Sequence, residues 1–176
     1  MTSILGKGKL VASALLLACL PIVTGSLGHR TDFEARILAA HNRERAALGI
    51  PPLRWNEDLA NGAKDWSDHL ALTGGFAHSP NEPGQDLEGE NIWGGTPKAF
   101  SPEAMVTYWI AEKRYFRDGV FPRNSRTGNV ADVSHYTQVM WRSTRQVGCS
   151  LSNGRREEIL VCRYSDPGNI IGRVAF

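Results

Sequence analysis

Two cysteines that flank a polar turn are the feature that most constrains the fold. Cys149 and Cys162 lie on either side of residues 152–157, whose sequence SNGRRE contains an Asn-Gly turn signal. The flanking segments, 146–151 and 158–164, are short, and the second is rich in aliphatic residues. This arrangement predicts a β-hairpin. The hairpin would bring the two sulfurs close enough to bond, so we interpret the pair as one disulfide. Two buried free thiols are the alternative.

The first 25 residues have the pattern of a secretory signal peptide. Two lysines precede an apolar run over residues 10–23, and small residues follow it. The run is too short for a membrane-spanning helix, so we expect residues 1–25 to be removed on export. A retained signal anchor is one alternative. Lipoprotein processing is another, in which the signal ends at residue 18 and Cys19 carries the lipid.

Charge and length narrow the possible functions. The chain has 20 Lys and Arg against 18 Asp and Glu; removing residues 1–25 removes two lysines and no acid, which leaves 18 against 18. A near-neutral chain lacks the basic surface that nucleic acids require, so no nucleic-acid partner is expected. Residues 31–176 suffice for one ordinary domain. The sequence contains no GxSxG, phosphate-loop, HExxH or CxxC motif.

Helix signals precede strand signals along the chain. A capping box at Thr31 (TDFE) predicts the start of a first helix, which ends near Gly49. Asn56 caps a second helix, and Ser101 begins a third with proline in its first turn. The hairpin and a final strand over residues 170–176 follow. Helices packed on antiparallel strands that come late in the chain predict an α+β domain.

Residues 76–97 are rich in Gly, Pro and Asn and are expected to form a long loop with little regular structure. Loops of this length in a compact domain are usually functional or disordered. This one contains Trp93, a large side chain suited to a binding surface. We therefore expect a functional loop in which Trp93 shapes the access to a site.

Glu112 is the most informative residue of the third predicted helix. It shares one helical face with Met105, Trp109 and Phe116, at spacings of 4, 3 and 4 residues. Neither position four residues away holds Lys or Arg, so a local ion pair at that spacing cannot satisfy it. An unpaired buried carboxylate is costly. Glu112 is therefore either part of a structural salt bridge or a carboxylate of a functional site.

Three further residues carry comparable chemistry. They are His78 in FAHSP, Glu90 in EGENIWGG and His135 in SHYTQVMW. Together with Glu112 they supply two imidazoles and two carboxylates, a set compatible with zinc. The same set serves acid–base catalysis, with Glu90 or Glu112 as the catalytic candidate, and the wide spacing does not decide between the two. His41 adjoins the buried stripe of the first helix and is expected to be a hydrogen-bonded core group.

These motifs resemble those of a known family. SHYTQVMW, followed by GC, and LVCRYSDPGNIIG are similar to the two signatures of the CAP superfamily. This superfamily comprises cysteine-rich secretory proteins, antigen 5 and pathogenesis-related 1 proteins, which share the SCP-like extracellular domain. FAHS, GENIWGG and YWIAEKRYF match lesser landmarks, and the similarity extends from about Phe33 to the C-terminus. The chain lacks a cysteine-rich extension, as a minimal single-domain member would.

The resemblance implies a fold and a site. The fold is a three-layer α-β-α sandwich with a central antiparallel sheet, in which SHYTQVMW begins as a short helix. The site is a cleft lined by four residues, namely His78, Glu90, Glu112 and His135. In this family the two histidines can hold Zn²⁺ or another divalent metal, with the two acids nearby.

The resemblance also implies a class of function. Such a protein is a secreted, monomeric and non-enzymatic binding module for an extracellular lipid, sterol or protein ligand. A metal-assisted hydrolase or protease is one alternative, and a structural or defence-related surface protein is another. Contact with a membrane is expected only if a lipid anchors the chain at Cys19.

Overall fold

The computed structural model describes residues 25–80 and 87–176. The expected signal peptide lies, except for Gly25, outside these residues, as does Cys19. Four α-helices and four strands form the described part of the chain. In chain order they are α1 (Gly25–Ala47), β1 (Arg54–Trp55), α2 (Glu57–Thr73), β2 (Gly89–Gly95), α3 (Pro102–Ala111), α4 (Ser134–Met140), β3 (Gln146–Asn153) and β4 (Glu158–Ser165). Within them, no helix is long and apolar enough to cross a membrane.

The four strands form one sheet in the order β1-β3-β4-β2. The three long strands are antiparallel, and β1 adds a two-residue parallel edge to β3. One face of the sheet packs on α2 through a small apolar cluster that contains Leu70, Ile92 and Val161. The other face packs on α1, α3 and α4 through a larger cluster. The predicted α+β fold, a three-layer α-β-α sandwich, is therefore confirmed, with a mixed sheet because of β1.

The predicted hairpin and its disulfide are present. Strands β3 and β4 are antiparallel, and Cys149 stands directly opposite Cys162 in their register. The two sulfurs are bonded, so the alternative of two free thiols is wrong. Because a slip of one residue would turn every side chain to the other face of the sheet, this covalent link also fixes which residues of β4 face each layer.

The predicted starts of the two helices that have a side-chain cap, α2 and α3, are confirmed. Asn56 accepts the backbone N–H groups of Asp58 and Leu59 at 2.8 and 3.1 Å at the start of α2. Ser101 caps α3 by accepting the N–H of Ala104. The first helix differs, since α1 begins at Gly25, six residues before the predicted start.

The expectation of an irregular loop over residues 76–97 is wrong for its second half, which is strand β2. Its glycines serve close packing rather than flexibility. A Cβ on Gly89 would lie 2.3 Å from Oε1 of Gln138 on α4, so any larger residue would displace this side chain. Trp93 is buried instead of shaping an access route, and its ring packs against Phe100 with centroids 5.1 Å apart.

The final strand predicted over residues 170–176 is also wrong. This segment does not join the sheet, and it pairs with the loop after α3 through an isolated bridge between Val120 and Val174. Asn169 and Gly172 have positive φ angles of 56° and 85°, which turn the chain away from an extended path. The aliphatic composition of the segment is therefore not a sign of a core strand.

Arg45, close to the end of α1, is the largest fully buried side chain. Its Nε donates to the carbonyl oxygen of Pro51 at 2.8 Å. Its two terminal nitrogens donate to the carbonyls of Val139, Trp141 and Thr144 at 2.8, 3.0 and 3.1 Å. Two of these carbonyls lie at the C-terminal end of α4, where the helix dipole is negative. The guanidinium therefore makes four hydrogen bonds, two of which connect α1 with the end of α4.

Burial and the neighbouring charge of Arg145 lower the pKa of Arg45 to about 10. The side chain is therefore still a cation at neutral pH. Burial of a charge is tolerated here because the carbonyl dipoles replace the lost water.

We predict that Arg45→Met lowers the free energy of unfolding by about 3–5 kcal/mol, because it leaves several buried carbonyls without a donor. Urea denaturation followed by circular dichroism measures this change. Arg43→Met, at an exposed position of the same helix, serves as the control and should stay within about 0.5 kcal/mol of the parent protein. Equal losses in the two variants would contradict a special role for Arg45.

Candidate functional site

Glu90 organises the chain segment that follows α2. Its Oε1 accepts the backbone N–H of Ser79 at 3.0 Å and lies 2.7 Å from Nδ1 of His78. Its Oε2 accepts the Ser79 hydroxyl at 2.8 Å. The side chain of Glu90 is largely buried, whereas that of His78 is 66% exposed. One carboxylate thus holds both the loop and the ring of His78 in place.

A cross-strand ion pair holds Glu90 itself. Glu90 on β2 stands opposite Arg163 on β4, and the guanidinium Nε lies 3.7 Å from its Oε2. Arg163 also contacts Glu88 at 3.3 Å. Opposite charges on facing positions of neighbouring strands stabilise a sheet. The register of β2 and β4 therefore determines where the Glu90 carboxylate points.

Glu112 forms the second pair, with His135. Helix α3 ends at Ala111, and Glu112 opens a 3₁₀ turn over Glu112–Tyr115. Its Oε1 lies 2.6 Å from Nδ1 of His135, and its Oε2 accepts the backbone N–H groups of His135 and Tyr136, both at 3.0 Å. The prediction that this carboxylate needs a partner is confirmed. The partner is an imidazole together with the start of α4, 23 residues away.

Strand β2 connects the two pairs. Asn91 follows Glu90 directly, and its side-chain amide donates to the backbone carbonyl of His135 at 3.1 Å. The indole of Trp109 stacks on the imidazole of His135, with ring centroids 6.4 Å apart and an interplanar angle of 13°. The structure therefore places the four predicted site residues in two histidine–glutamate pairs, and Asn91 links the strand of the first pair to the helix of the second.

The buried network behind the site includes His41, as predicted from its position on α1. His41 is fully buried, and its Nδ1 bonds to the carbonyl of Ile37 at 2.8 Å. Its Nε2 is consequently the acceptor, and Tyr164 donates its hydroxyl to it at 2.9 Å. The Tyr164 oxygen accepts from Asn91 at 3.4 Å, so the network continues to the site. Burial lowers the pKa of His41 to about 4, which keeps it neutral.

Both site histidines bond to a carboxylate through the same ring nitrogen. In each ring Nδ1 faces a carboxylate and is therefore the protonated nitrogen of the neutral form, which leaves Nε2 with its lone pair available. An imidazole oriented by a carboxylate in this way is a common metal ligand. In the part of the chain that the structure describes, no cluster of three or more His, Cys, Asp or Glu side chains is arranged to hold a metal.

The electrostatics of the first pair favour its charged forms. The hydrogen bond that His78 donates to Glu90 raises the pKa of His78 above its ordinary value of 6.5, although partial burial opposes this effect. Burial raises the pKa of Glu90, but the hydrogen bonds from His78 and Ser79 outweigh it, so the pKa lies below the ordinary 4.5.

Sequence reasoning missed three supporting residues, which are Ser79, Asn91 and Arg163. The first two are adjacent to predicted site residues, and each supplies a hydrogen bond that orients the site. The signal for Arg163 is the strand character of GENIWGG. This segment is β2, which pairs with β4 and so places Glu90 opposite Arg163.

We predict that Glu112→Ala destabilises the protein by about 1–2 kcal/mol, because two N–H groups at the start of α4 lose their acceptor. Thermal unfolding measures this loss. Glu112→Gln keeps a carbonyl oxygen in place and should retain most of the stability. If Glu112→Ala melts at the parental temperature, the capping role is wrong.

We predict a pKa above 6.5 for His78 in the metal-free protein, which NMR titration of the ring protons measures. The contribution of this raised pKa to stability is full below pH 6.5 and is lost as the pH rises through the folded-state pKa. The contribution of Glu90 is present above pH 4.5 and is lost as the pH falls through its lowered pKa. Glu90→Gln should lower the pKa of His78, and Glu112→Gln should leave it unchanged.

Comparison with known proteins agrees with the geometry. Residues 38–164 match the model of the Cysteine-rich secretory protein family, CAP. Pathogenesis-related protein 1C of Nicotiana tabacum is 34% identical over 149 residues, which cover 82% of each chain. Secreted protein RBT4 of Candida albicans is 30% identical over 145 residues, which are 81% of this chain and 37% of RBT4.

Among solved structures, that of NaASP2 with Zn²⁺ has the same fold, with a TM-score of 0.70 and 18% identity. The alignment covers 82% of this chain and 85% of NaASP2. The family match includes both histidine–glutamate pairs. The chain belongs to the CAP family, that of the cysteine-rich secretory and pathogenesis-related 1 proteins.

Proposed function

We propose that this protein is an extracellular binding module whose His78 and His135 hold a divalent metal, such as Zn²⁺, beside the site of a lipid, sterol or protein ligand. The observation that carries the proposal is that the carboxylates of Glu90 and Glu112 are fully occupied by hydrogen bonds within the protein. Each of their four carboxylate oxygens already has a partner in the protein. The acids orient the imidazoles and the backbone, which is the task of supporting groups at a binding site.

The two histidines fit a metal with an open coordination sphere. Zinc in a closed structural site takes four protein ligands, whereas two imidazoles leave positions for water or for a bound ligand. The carboxylates fix the orientation of the imidazoles that they contact, which favours metal binding. The similarity of the fold to that of NaASP2, a protein solved with Zn²⁺, gives further support.

A metal-assisted hydrolase is less well supported by the same contacts. It would require Glu90 or Glu112 to accept a proton from water. The Oε2 of Glu112 accepts two backbone N–H groups, and that of Glu90 accepts the Ser79 hydroxyl next to the Arg163 guanidinium. These partners occupy the oxygens that a general base would use, and the hydrogen bonds on Glu90 outweigh its burial and lower its pKa.

An extracellular, defence-related setting agrees with three features. The relatives include pathogenesis-related proteins and a secreted protein. The disulfide between Cys149 and Cys162 is suited to an oxidising compartment. The apolar run near the N-terminus has the pattern of an export signal.

The proposal is tested by titrating Zn²⁺ into the metal-free protein in a calorimeter. We expect a dissociation constant in the micromolar range or below, weakened at least 100-fold by His78→Ala combined with His135→Ala. His69→Ala is the matched control, since His69 is an exposed histidine on α2, stacked on Trp66 and outside both pairs. It should bind zinc like the parent.

Two results would decide against the metal. They are the absence of zinc binding, and binding that His69→Ala weakens as much as the double variant does. Either result would leave the two pairs as a hydrogen-bond network that stabilises the sheet, as in a structural protein. Zinc binding accompanied by zinc-dependent cleavage of ester or peptide substrates, lost in Glu90→Gln or Glu112→Gln, would favour the hydrolase.

A further inference from the structure

Two β-turns lie side by side on the surface, and neither contains a residue of the two histidine–glutamate pairs. They comprise residues 120–123 and 170–173, and each is closed by a backbone hydrogen bond between its first and last residues, of 2.7 and 3.1 Å. The turns are joined to each other. Phe121 donates its N–H to the carbonyl of Arg173 at 2.8 Å and accepts that of Gly172 at 2.9 Å. The two turns therefore form one ordered surface.

The side chains at these turns are aliphatic and exposed. Ile171, which precedes the positive-φ Gly172 at the tip of its turn, is 80% exposed. Val174 is 58% exposed, Ile170 45% and Val120 36%. We call these four residues the two-turn surface. Single exposed aliphatic residues are common, but four on joined turns form a patch of the kind that marks an interaction site.

Arginines flank this patch. Arg117, Arg123 and Arg173 are all exposed, and Arg117 donates to the carbonyl of Arg123 at 3.2 Å, so the first two are neighbours. None of the three forms an ion pair with a carboxylate of residues 32–80 or 87–176. Residues 117–123 and 170–174 contain these three arginines and one acidic residue, Asp118. The rim of the patch is therefore basic.

We propose that the two-turn surface binds the headgroup region of an anionic lipid bilayer. Ile171 and Val174 enter the boundary between headgroups and acyl chains, and the three arginines contact lipid phosphates. An aliphatic tip surrounded by guanidinium groups is complementary to such an interface, where apolar burial and attraction to negative lipids act together. A guanidinium group also binds a phosphate through two parallel hydrogen bonds.

The side chains of the surface favour a bilayer over other partners. Stable protein interfaces are centred on aromatic anchors that fill pockets, whereas the exposed side chains of this surface are aliphatic. An acidic polysaccharide would use the arginines but not Ile171. The binding is peripheral and needs no lipid at Cys19, so it extends the membrane contact expected from the sequence. It is also independent of the two histidine–glutamate pairs.

The test places a fluorophore on the surface. Ile171→Cys is made in the full chain with Cys19→Ser, so that only position 171 reacts with an environment-sensitive nitrobenzoxadiazole dye. We expect a blue shift and brighter emission on vesicles of phosphatidylcholine with 30% phosphatidylglycerol, and little change on phosphatidylcholine alone. Leu72→Cys is the matched control, since Leu72 is 89% exposed but lies on α2, on the other face of the sheet. Its dye should not respond.

Charge reversal tests the arginines separately. Arg123→Glu with Arg173→Glu should lower the vesicle partition coefficient at least tenfold, because each guanidinium near an anionic surface contributes roughly fivefold. Arg155→Glu with Arg156→Glu, in the exposed turn between β3 and β4, is the matched control and should leave it nearly unchanged. The proposal is overturned if the dye at position 171 does not respond to anionic vesicles, or responds equally to neutral ones. A chain that binds only a sulfated polysaccharide also overturns it.

Discussion

The contact of the Arg45 guanidinium with the end of α4 is the interaction on which the candidate site depends. Helix α4 has only seven residues, too few to be stable alone in water. It is held at both ends by charged side chains, with the Glu112 carboxylate on the N–H groups at its start and Arg45 on the carbonyls at its end. Each charge is complementary to the helix dipole at its position. The helix that carries His135 is thus fixed by two buried or half-buried ions rather than by its own propensity.

The sheet performs the corresponding task for the other pair. The disulfide sets the register of β3 and β4, and the register of β4 with β2 places Arg163 opposite Glu90. A shift of one residue between these strands would turn Glu90 to the opposite layer and leave His78 without its partner. In the native register, Glu90 and its neighbour Asn91 point to opposite sides of β2. This strand therefore contacts the Ser79 segment through Glu90 and α4 through Asn91.

What could be predicted from the sequence was local. Asn56, Ser101 and the hairpin are encoded within a few residues, and the requirement that Glu112 find a partner follows from its own helical face. The identity of that partner does not, because it lies 23 residues away. Strand β2 was missed since Gly89 is glycine for a tertiary reason, the side chain of Gln138. Arg45 was missed likewise, because an arginine among the charged residues of a helix carries no sign of being buried.

Helix α4 also supports the second surface that we propose. Beyond its last turn, the ring of Trp141 packs edge-on against Phe121 at 6.5 Å, and Arg142 donates its N–H to the carbonyl of Ala175. The two turns are thereby attached to the end of the helix whose start carries His135. Seven helical residues span about 10 Å. His135 and the two turns are therefore connected through the opposite ends of one short helix. The same short helix, clamped by Arg45, sets the distance between the two surfaces.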